Sequence, residues 1–154
     1  MQNNIQIYTD GSSRGNPGRG GYGAILLFGS HRKELSQGYR HTTNNRMELL
    51  AVIAGLEAIK NNELPVTVYS DSQYVVNSVE KGWLKNWIKT DFKGGKKNKD
   101  LWKHYYELAK SFTINFVWVK GHANNPLNNR CDELATGAAD GKNLLVDEGY
   151  EKEM

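Results

Sequence analysis

The sequence Ile5-Gln6-Ile7-Tyr8-Thr9-Asp10-Gly11 is short, rich in β-prone residues and closed by an aspartate and a glycine. The sequence Val66-Thr67-Val68-Tyr69-Ser70-Asp71 follows Pro65 and has the same order of features. Each pattern predicts a short strand that ends at its aspartate. In open α/β sheets, ligand sites lie beyond the carboxyl ends of adjacent parallel strands. If the two strands are neighbours, Asp10 and Asp71 therefore reach one crevice.

The surrounding segments predict a mixed sheet. Glycine-rich residues 15–23 predict a tight loop, and second and third strands at about 22–28 and 35–39 pair across Gly29-Ser30. A fifth strand is predicted at 113–119, and helices are predicted at 44–61, 72–80, 83–88, 100–110 and 126–140. Strands joined by turns pair antiparallel, whereas strands that return through helices run parallel. The predicted fold class is α/β: a five-stranded mixed sheet, with strands 1–3 antiparallel, strands 4 and 5 parallel to strand 1, and helices on both faces.

The composition limits the class of protein. The 154 residues fit one domain, expected at residues 1–142, and 38% hydrophobic with 10% aromatic residues exclude a disordered chain. No apolar run approaches the roughly 18 residues of a membrane span. A single cysteine, Cys131, excludes an internal disulfide and a multi-cysteine zinc site. The first residues carry no secretory signal, so we expect a cytoplasmic protein. Residues 143–154 are acidic, and we expect a loose tail there.

The net charge of +3 is unevenly distributed. The segment from Lys81 to Lys103 contains eight lysines and two aspartates, a local charge of +6 that leaves −3 for the rest of the chain. A basic stretch on a near-neutral body favours a polyanionic partner. On charge alone, a solvated lysine-rich loop explains the segment equally well.

Four carboxylates lie where they can meet in space. Asp10 and Asp71 end strands, whereas Glu48 and Asp132 each lead an apolar or small-residue stripe on a predicted helix. Each also has an ordinary structural explanation: a turn at Asp10, a helix cap at Asp71, a capping box of Asn45 with Glu48, and a first-turn position at Asp132. The spacing alone leaves both interpretations open.

Convergence of the four carboxylates would require compensating charge. Two like charges ~4 Å apart repel by about 4 kcal/mol at an effective dielectric of 20. Such a cluster needs protons or divalent cations, and oxygen-only ligands select Mg²⁺ or Mn²⁺ over zinc. Two such ions about 3.5–4 Å apart activate water and stabilise the leaving oxygen in phosphodiester cleavage. His122, in the loop before the last helix, is either a surface residue or a proton shuttle.

Several short motifs are distributed along the chain over about residues 5–140. They are Tyr8-Thr9-Asp10-Gly11-Ser12 with Gly15-Asn16-Pro17-Gly18, Gly20-Gly21-Tyr22-Gly23-Ala24, Thr42-Thr43-Asn44-Asn45-Arg46-Met47-Glu48-Leu49, Asp71-Ser72-Gln73-Tyr74-Val75, Trp118-Val119-Lys120-Gly121-His122-Ala123, and Asn128-Asn129-Arg130-Cys131-Asp132-Glu133-Leu134-Ala135. Together they resemble the ribonuclease HI family, the bacterial type 1 ribonucleases H. The resemblance implies a ribonuclease H-like fold and endonucleolytic, two-metal-ion hydrolysis of the RNA strand of RNA/DNA hybrids, which leaves 5′-phosphate and 3′-hydroxyl ends.

The resemblance also implies the catalytic set. Asp10, Glu48, Asp71 and Asp132 match the metal-binding carboxylates of the family, with Mg²⁺ as the cofactor and Mn²⁺ as a substitute. His122 matches a histidine of a mobile loop that assists catalysis or product release. The resemblance implies no small-molecule cofactor and no membrane contact, and we expect a monomer.

The implied partner is the RNA/DNA hybrid itself. Asn16, Asn44, Asn45 and Gln73 match family positions that read the minor groove, where RNA 2′-hydroxyls are exposed. Thr43 matches a phosphate pocket for the DNA strand. The family's basic protrusion, which grips the hybrid, corresponds to about residues 81–99 and carries the implied contacts Trp83, Lys85, Lys89, Lys96, Lys97 and Lys99.

Departures and alternatives remain. Leu127 and Asn129 stand where close relatives often carry glutamates, so no metal-attenuating role is carried over to those positions. A haloacid-dehalogenase pattern needs a second aspartate where this chain has Ser12, and a P-loop needs a Gly-Lys-Ser/Thr sequence that residues 15–23 lack. These failed patterns weaken the runner-up, a different phosphoryl-transfer enzyme with an aspartate at a strand end. A further alternative is a non-catalytic hybrid-binding module, which we expect to have a broken carboxylate set, whereas this chain carries all four acids.

Overall fold

The structure is a computed structural model that describes residues 4–60, 63–95, 97–120 and 125–152. Along the chain these residues form β1 (Ile5–Arg14), β2 (Gly18–Phe28), β3 (His31–Thr42), α1 (Asn44–Glu57), β4 (Val66–Ser70), α2 (Gln73–Glu80), α3 (Trp83–Lys89), α4 (Lys99–Ala109), β5 (Ile114–Trp118), α5 (Pro126–Asp140), β6 (Leu144–Leu145) and α6 (Glu148–Glu151). No helix in these ranges is long and apolar enough to cross a membrane.

The strands form one mixed sheet in the order β5-β4-β1-β2-β3-β6. β1 pairs antiparallel with β2, and β2 pairs antiparallel with β3, as tight connections require. β4 pairs parallel with β1, and β5 pairs parallel with β4, because helices return the chain between these strands. The predicted five-stranded arrangement is confirmed, with β6 added as a short sixth strand beside β3.

Adjacent glycines of β2 place helices on opposite faces of this sheet. A Cβ atom on Gly20 would collide with the side chains of Thr42 and Met47, and Met47 belongs to α1. A Cβ atom on Gly21 would collide with the main chain of α5 at Ala135. Because successive strand residues point to opposite faces, α1 and α5 lie on opposite sides. The glycine-rich stretch predicted as a loop is therefore largely strand, and its glycines allow both helices to approach the sheet closely.

The main hydrophobic core lies on the α1 face of the sheet. Ile7 and Val68 from the parallel strands pack with Leu49 and Val52 of α1 and with Trp102 of α4, all of them fully buried. Full burial of each such side chain stabilises the fold by roughly 1.5–3 kcal/mol. The core therefore anchors β1, β4 and α1, the elements that carry the first three predicted carboxylates.

The expectation of a loose tail after residue 142 is wrong for the described residues up to 152. Leu144–Leu145 pairs with β3, and Asp147 is 5% exposed. The Asp147 carboxylate accepts hydrogen bonds from Arg46 Nε at 2.8 Å and Arg46 Nη2 at 2.9 Å. Acidic composition indicated solvation, but here an acidic residue provides the partner of a buried arginine.

Candidate active site

Asp10 and Asp71 lie side by side because of strand register. β1 and β4 pair in parallel up to Thr9 opposite Ser70, and each aspartate is the next residue along its chain. β4 ends there, whereas β1 continues beside β2 as far as Arg14. Asp10 therefore lies within β1 rather than at its end, which corrects the prediction, while the predicted adjacency of the two aspartates is what the structure shows.

Glu48 reaches the same point from α1. The helix begins at Asn44 with Thr43 as its cap, so Glu48 lies beyond the capping positions and the capping-box explanation does not apply. A Cβ atom on Gly11 would overlap the main chain of Glu48, so this glycine allows α1 to lie directly against β1. One carboxylate oxygen each of Asp10, Glu48 and Asp71 lies within 4.8 Å of the other two.

Asp132 joins the pocket from the opposite face of the sheet. It is the seventh residue of α5, which starts at Pro126, so it does not cap the helix and lies outside its first turn. The helix cap before α2 is Ser72, which also removes the capping explanation for Asp71. A pocket of about 290 Å³ is lined by Asp10, Gly11, Ser12, Asn44, Glu48, Asp71, Asn128, Asn129 and Asp132. Asp132 lines this pocket without belonging to the tight three-residue cluster.

Burial makes this cluster electrostatically unfavourable when it is fully ionised. Desolvation, followed by the charges of Asp71 and Asp132, raises the pKa of Asp10 to about 8. Burial, followed by the charges of Asp10 and Asp71, raises the pKa of Glu48 well above its ordinary value. The folded protein therefore holds protons on this cluster at neutral pH, or needs cations to replace them.

The oxygen atoms that line the acidic pocket suit a hard divalent cation. Among the described residues, the buried atoms Glu48 Oε1 and Asn128 Oδ1 have no hydrogen-bond partner. Both residues line the pocket, and Asn128 is only 3% exposed. Buried acceptors without donors are costly, and a cation or its bound water would satisfy them. The carboxylate oxygens of the cluster and Asn128 Oδ1 are hard ligands, which suit Mg²⁺, Mn²⁺ or Ca²⁺ rather than zinc.

A second depression, of about 700 Å³, lies beside the acidic pocket. It is lined by Asn16, Pro17, Thr43, Asn45, Tyr74, Trp87, Gly95, Lys97, Asn98 and Tyr150, and we call it the aromatic groove. Four of the predicted substrate contacts meet here: Asn16, Thr43, Asn45 and Lys97. Asn44 lines the acidic pocket instead, and its main-chain N–H donates to Asn16 Oδ1 at 3.1 Å. The first turn of α1 therefore separates the groove from the acidic pocket.

The other predicted contacts lie in varied settings. Gln73 is exposed at the start of α2, and α3 exposes Trp83, Lys85 and Lys89. Lys99 Nζ lies 3.1 Å from Asp91 Oδ1, so its charge is partly compensated within the protein. Two predicted residues, Lys96 and His122, lie outside the described residues.

Residues 2–140 match the model of the family described as RNase H. The chain belongs to the RNase H family. It is 54% identical over 153 residues to the Ribonuclease H of Syntrophus aciditrophicus (strain SB), covering 97% of this chain and 88% of that protein. It is also 54% identical over 151 residues to the Ribonuclease H of Pseudoalteromonas atlantica (strain T6c / ATCC BAA-1087), covering 96% and 97%.

Two solved structures of this family are similar to the chain. LC9-RNase H1, described as a type 1 RNase H with the type 2 active-site motif, aligns with a TM-score of 0.82 at 29% identity. That alignment covers 99% of this chain and 81% of the other. LC11-RNase H1, solved in complex with an RNA/DNA hybrid, aligns with a TM-score of 0.68 at 27% identity, covering 88% and 96%.

Several lining residues of this RNase H were not predicted from the sequence. Asn128 belongs to a motif that implies no role for it, and its burial in the acidic pocket with an unpartnered Oδ1 atom singles it out. Trp87 lies on the aromatic groove, whereas its helical neighbour Trp83 was predicted as the contact. Tyr150 had no usable signal, because the segment that carries it was predicted to be loose.

Proposed function

We propose that this protein is an endoribonuclease that hydrolyses the RNA strand of RNA/DNA hybrids, leaving 5′-phosphate and 3′-hydroxyl ends. The observation that carries the proposal is the convergence of Asp10, Glu48 and Asp71 within 4.8 Å, in a pocket that Asp132 also lines. Membership of the RNase H family supports the reaction class, and the hybrid bound by LC11-RNase H1 supports the substrate class.

We propose Mg²⁺ as the physiological cofactor, with two ions bound during turnover and Mn²⁺ as a substitute. Asp10, Glu48, Asp71 and Asp132 would hold the ions, since the buried carboxylates need positive charge at neutral pH. When bound, such ions activate a water molecule and stabilise the leaving oxygen of a phosphodiester. The protein contributes a rigid frame, because strand register fixes Asp10 and Asp71 while the close packing at Gly11 fixes Glu48.

We propose that the hybrid lies across the first turn of α1. The acidic pocket then takes the RNA strand, and the aromatic groove takes the DNA strand. In this arrangement Asn16, Asn44 and Asn45 face the minor groove together with Gln73, and Thr43 lies beside a DNA phosphate. Two exposed lysines of α3, Lys85 and Lys89, supply positive charge for the phosphate backbone of the hybrid together with Lys97.

His122 remains a proposal from the motif alone. We propose that it moves a proton or aids product release. We further propose that the protein acts as a monomer in the cytoplasm and uses no small-molecule cofactor.

The test is a cleavage assay on matched RNA/DNA, RNA/RNA and DNA/DNA duplexes with Mg²⁺ and with excess EDTA. We expect RNA-strand cleavage of the hybrid alone, and only with the metal. Asp10→Asn should abolish cleavage, while Glu107→Gln, which changes an exposed carboxylate on α4, should retain it. Tight hybrid binding without cleavage by the unaltered protein would favour the non-catalytic binding module instead.

A further inference from the structure

The C-terminal segment, residues 144–151, is fastened to the body of the protein at both ends. Its first residues pair with β3, and Asp147 accepts a hydrogen bond from Thr42 Oγ1 at 2.7 Å in addition to those from Arg46. At its far end, Arg40 makes a two-pronged contact with Glu151, at 2.8 and 2.9 Å. Two arginines from the body therefore neutralise two of the acidic residues in this segment.

These anchors fix the position of Tyr150. Its main-chain N–H donates to Asp147 Oδ1 at 3.3 Å, and its ring lies 5.5 Å from the ring of His41. The residue before it is Gly149, where a Cβ atom would overlap the carboxylate of Asp100. A side chain at position 149 would have to displace the Asp100 carboxylate from its ion pair with Arg46. The segment is therefore built to bring one half-buried aromatic side chain to a defined place.

Tyr150 forms part of the wall of the aromatic groove. Tyr150 lines the groove together with Thr43 and Asn45 of the first turn of α1 and with Lys97 of the basic segment. These neighbours offer a cation and neutral polar groups, which suit a sugar-phosphate backbone. An aromatic ring adds an apolar face, which suits the 2′-methylene of deoxyribose better than the 2′-hydroxyl of ribose.

We propose that Tyr150 is a substrate-binding residue that packs against the deoxyribose backbone of the DNA strand, and that the C-terminal segment thereby forms part of the hybrid-binding surface. The proposal rests on the proposed function, because the hybrid must lie across α1 for the DNA strand to occupy this groove. It assigns to Tyr150 a part in selecting DNA over RNA in the strand that is not cut.

The experiment measures binding rather than cleavage. Dissociation constants are determined by fluorescence anisotropy in excess EDTA, for an RNA/DNA hybrid and for the RNA/RNA duplex of the same sequence. The variants are Tyr150→Leu, which keeps apolar bulk against His41, and Tyr150→Phe, which keeps the ring. The matched control is Tyr106→Leu, because Tyr106 is a half-buried tyrosine of α4 that does not line the groove. Melting temperatures confirm that each variant is folded.

We expect Tyr150→Leu to weaken hybrid binding by at least about fivefold, which is the low end for loss of an aromatic contact with a nucleic acid. We expect RNA/RNA binding to change by less than about twofold, and the slope of log Kd against log salt to stay constant, because no charge is lost. Tyr150→Phe should bind as the wild type does.

Three results would each overturn the inference: hybrid affinity of Tyr150→Leu within about twofold of wild type, equal losses on both duplexes, or an equal loss in Tyr106→Leu. A separate cleavage assay keeps the two proposals distinct. If the wild type does not cleave the hybrid, the proposed function fails. If it cleaves while Tyr150→Leu binds normally, only this inference fails.

Discussion

Asp10 and Asp71 each follow one member of the last register pair between two parallel strands, Thr9 and Ser70. The pairing of β1 with β4, two interior strands of the sheet, therefore keeps the main chains of the two aspartates next to each other. Burial adds to their repulsion, since Asp10 is 5% exposed and Glu48 closes the site from α1. The fold therefore holds like charges together at a cost in stability, as expected for a site that recruits cations.

Replacing one member of the cluster should separate stability from activity. We expect Asp10→Asn to abolish cleavage and to raise the melting temperature of the metal-free protein, because it removes one of the repelling charges. Since protonation already relieves part of the repulsion, we expect a gain of about 1–2 kcal/mol, or about 2–8 °C for a chain of this size. Thermal unfolding in EDTA measures the change.

The matched control for Asp10→Asn is Asp140→Asn. Asp140 is exposed and paired with Arg14 rather than with other acids, so its replacement should leave the melting temperature unchanged or slightly lower. A melting temperature for metal-free Asp10→Asn below that of the wild type would show that the carboxylates do not repel each other in the folded protein.

The raised pKa values predict how stability depends on pH. The pKa of Asp10 is about 8 in the folded protein, against roughly 3.9 in an unfolded chain, and that of Glu48 is also raised. Between these pH values the folded state binds more protons, so the free energy of unfolding should fall as pH rises from about 4 to about 8. Arg130 and Arg32 lower the pKa of Glu34 to about 2, so the ionisation of Glu34 affects the free energy of unfolding only below about pH 4.

Urea unfolding of the metal-free protein at pH 5 and pH 8 tests this expectation. Mg²⁺ should stabilise the protein more at pH 8, where the carboxylates are ionised, and Asp10→Asn should show a weaker pH dependence without metal. If the free energy of unfolding of the metal-free wild type stays constant or rises between pH 5 and pH 8, the raised pKa values are contradicted. They are also contradicted if the wild type and Asp10→Asn show the same pH dependence.

Local sequence signals predicted most of the sheet and the acidic pocket. Val66–Ser70 was predicted with the bounds it has, because Pro65 and Asp71 limit a short β-prone run on both sides. The prediction that Asp10 and Asp71 lie close together came from a general rule on the carboxyl ends of adjacent parallel strands. Helix register removed the capping-box explanation for Glu48, since Thr43 rather than Asn45 caps α1. A shift of two residues in a helix start is beyond what local patterns determine.

The missed features depend on contacts between residues far apart in the sequence. Gly20 and Gly21 lie in a strand that has one helix packed on each face, and no local pattern reveals this packing. The C-terminal segment is ordered because Asp147 pairs with Arg46, 101 residues away. Composition correctly described the segment as acidic, but it contained no information about the buried cation that the acid meets.

The lysines of the basic segment should not contribute equally to hybrid binding. Lys97 is exposed on the aromatic groove, whereas Lys99 is paired with Asp91. We expect Lys97→Ala to weaken binding and to reduce the salt slope of log Kd by roughly 0.9, the value for one phosphate contact on a duplex. Lys99→Ala should reduce the slope less, because its ammonium group already has a carboxylate partner.

Anisotropy titrations at several salt concentrations compare the two lysine variants. Lys142→Ala is the control, since this exposed lysine lies on the segment after α5 and does not line the aromatic groove. Equal slopes for Lys97→Ala and the wild type would mean that Lys97 does not contact a phosphate. The combined variant of Lys96, Lys97 and Lys99 should have the flattest slope of the set.

The last prediction concerns Arg46, which is 1% exposed and holds both Asp147 and Asp100. We expect Arg46→Met to cost about 3–5 kcal/mol, because it leaves the buried Asp147 carboxylate without a cationic partner, and to lower the melting temperature by about 6–20 °C. Adding Asp147→Asn should recover part of the loss by removing the orphaned charge. Arg14→Met, at an exposed pair, should cost less than about 1 kcal/mol. If Arg46→Met proves as mild as Arg14→Met in thermal unfolding, the C-terminal segment is not held by this ion pair, and Tyr150 loses the anchor that places it on the groove.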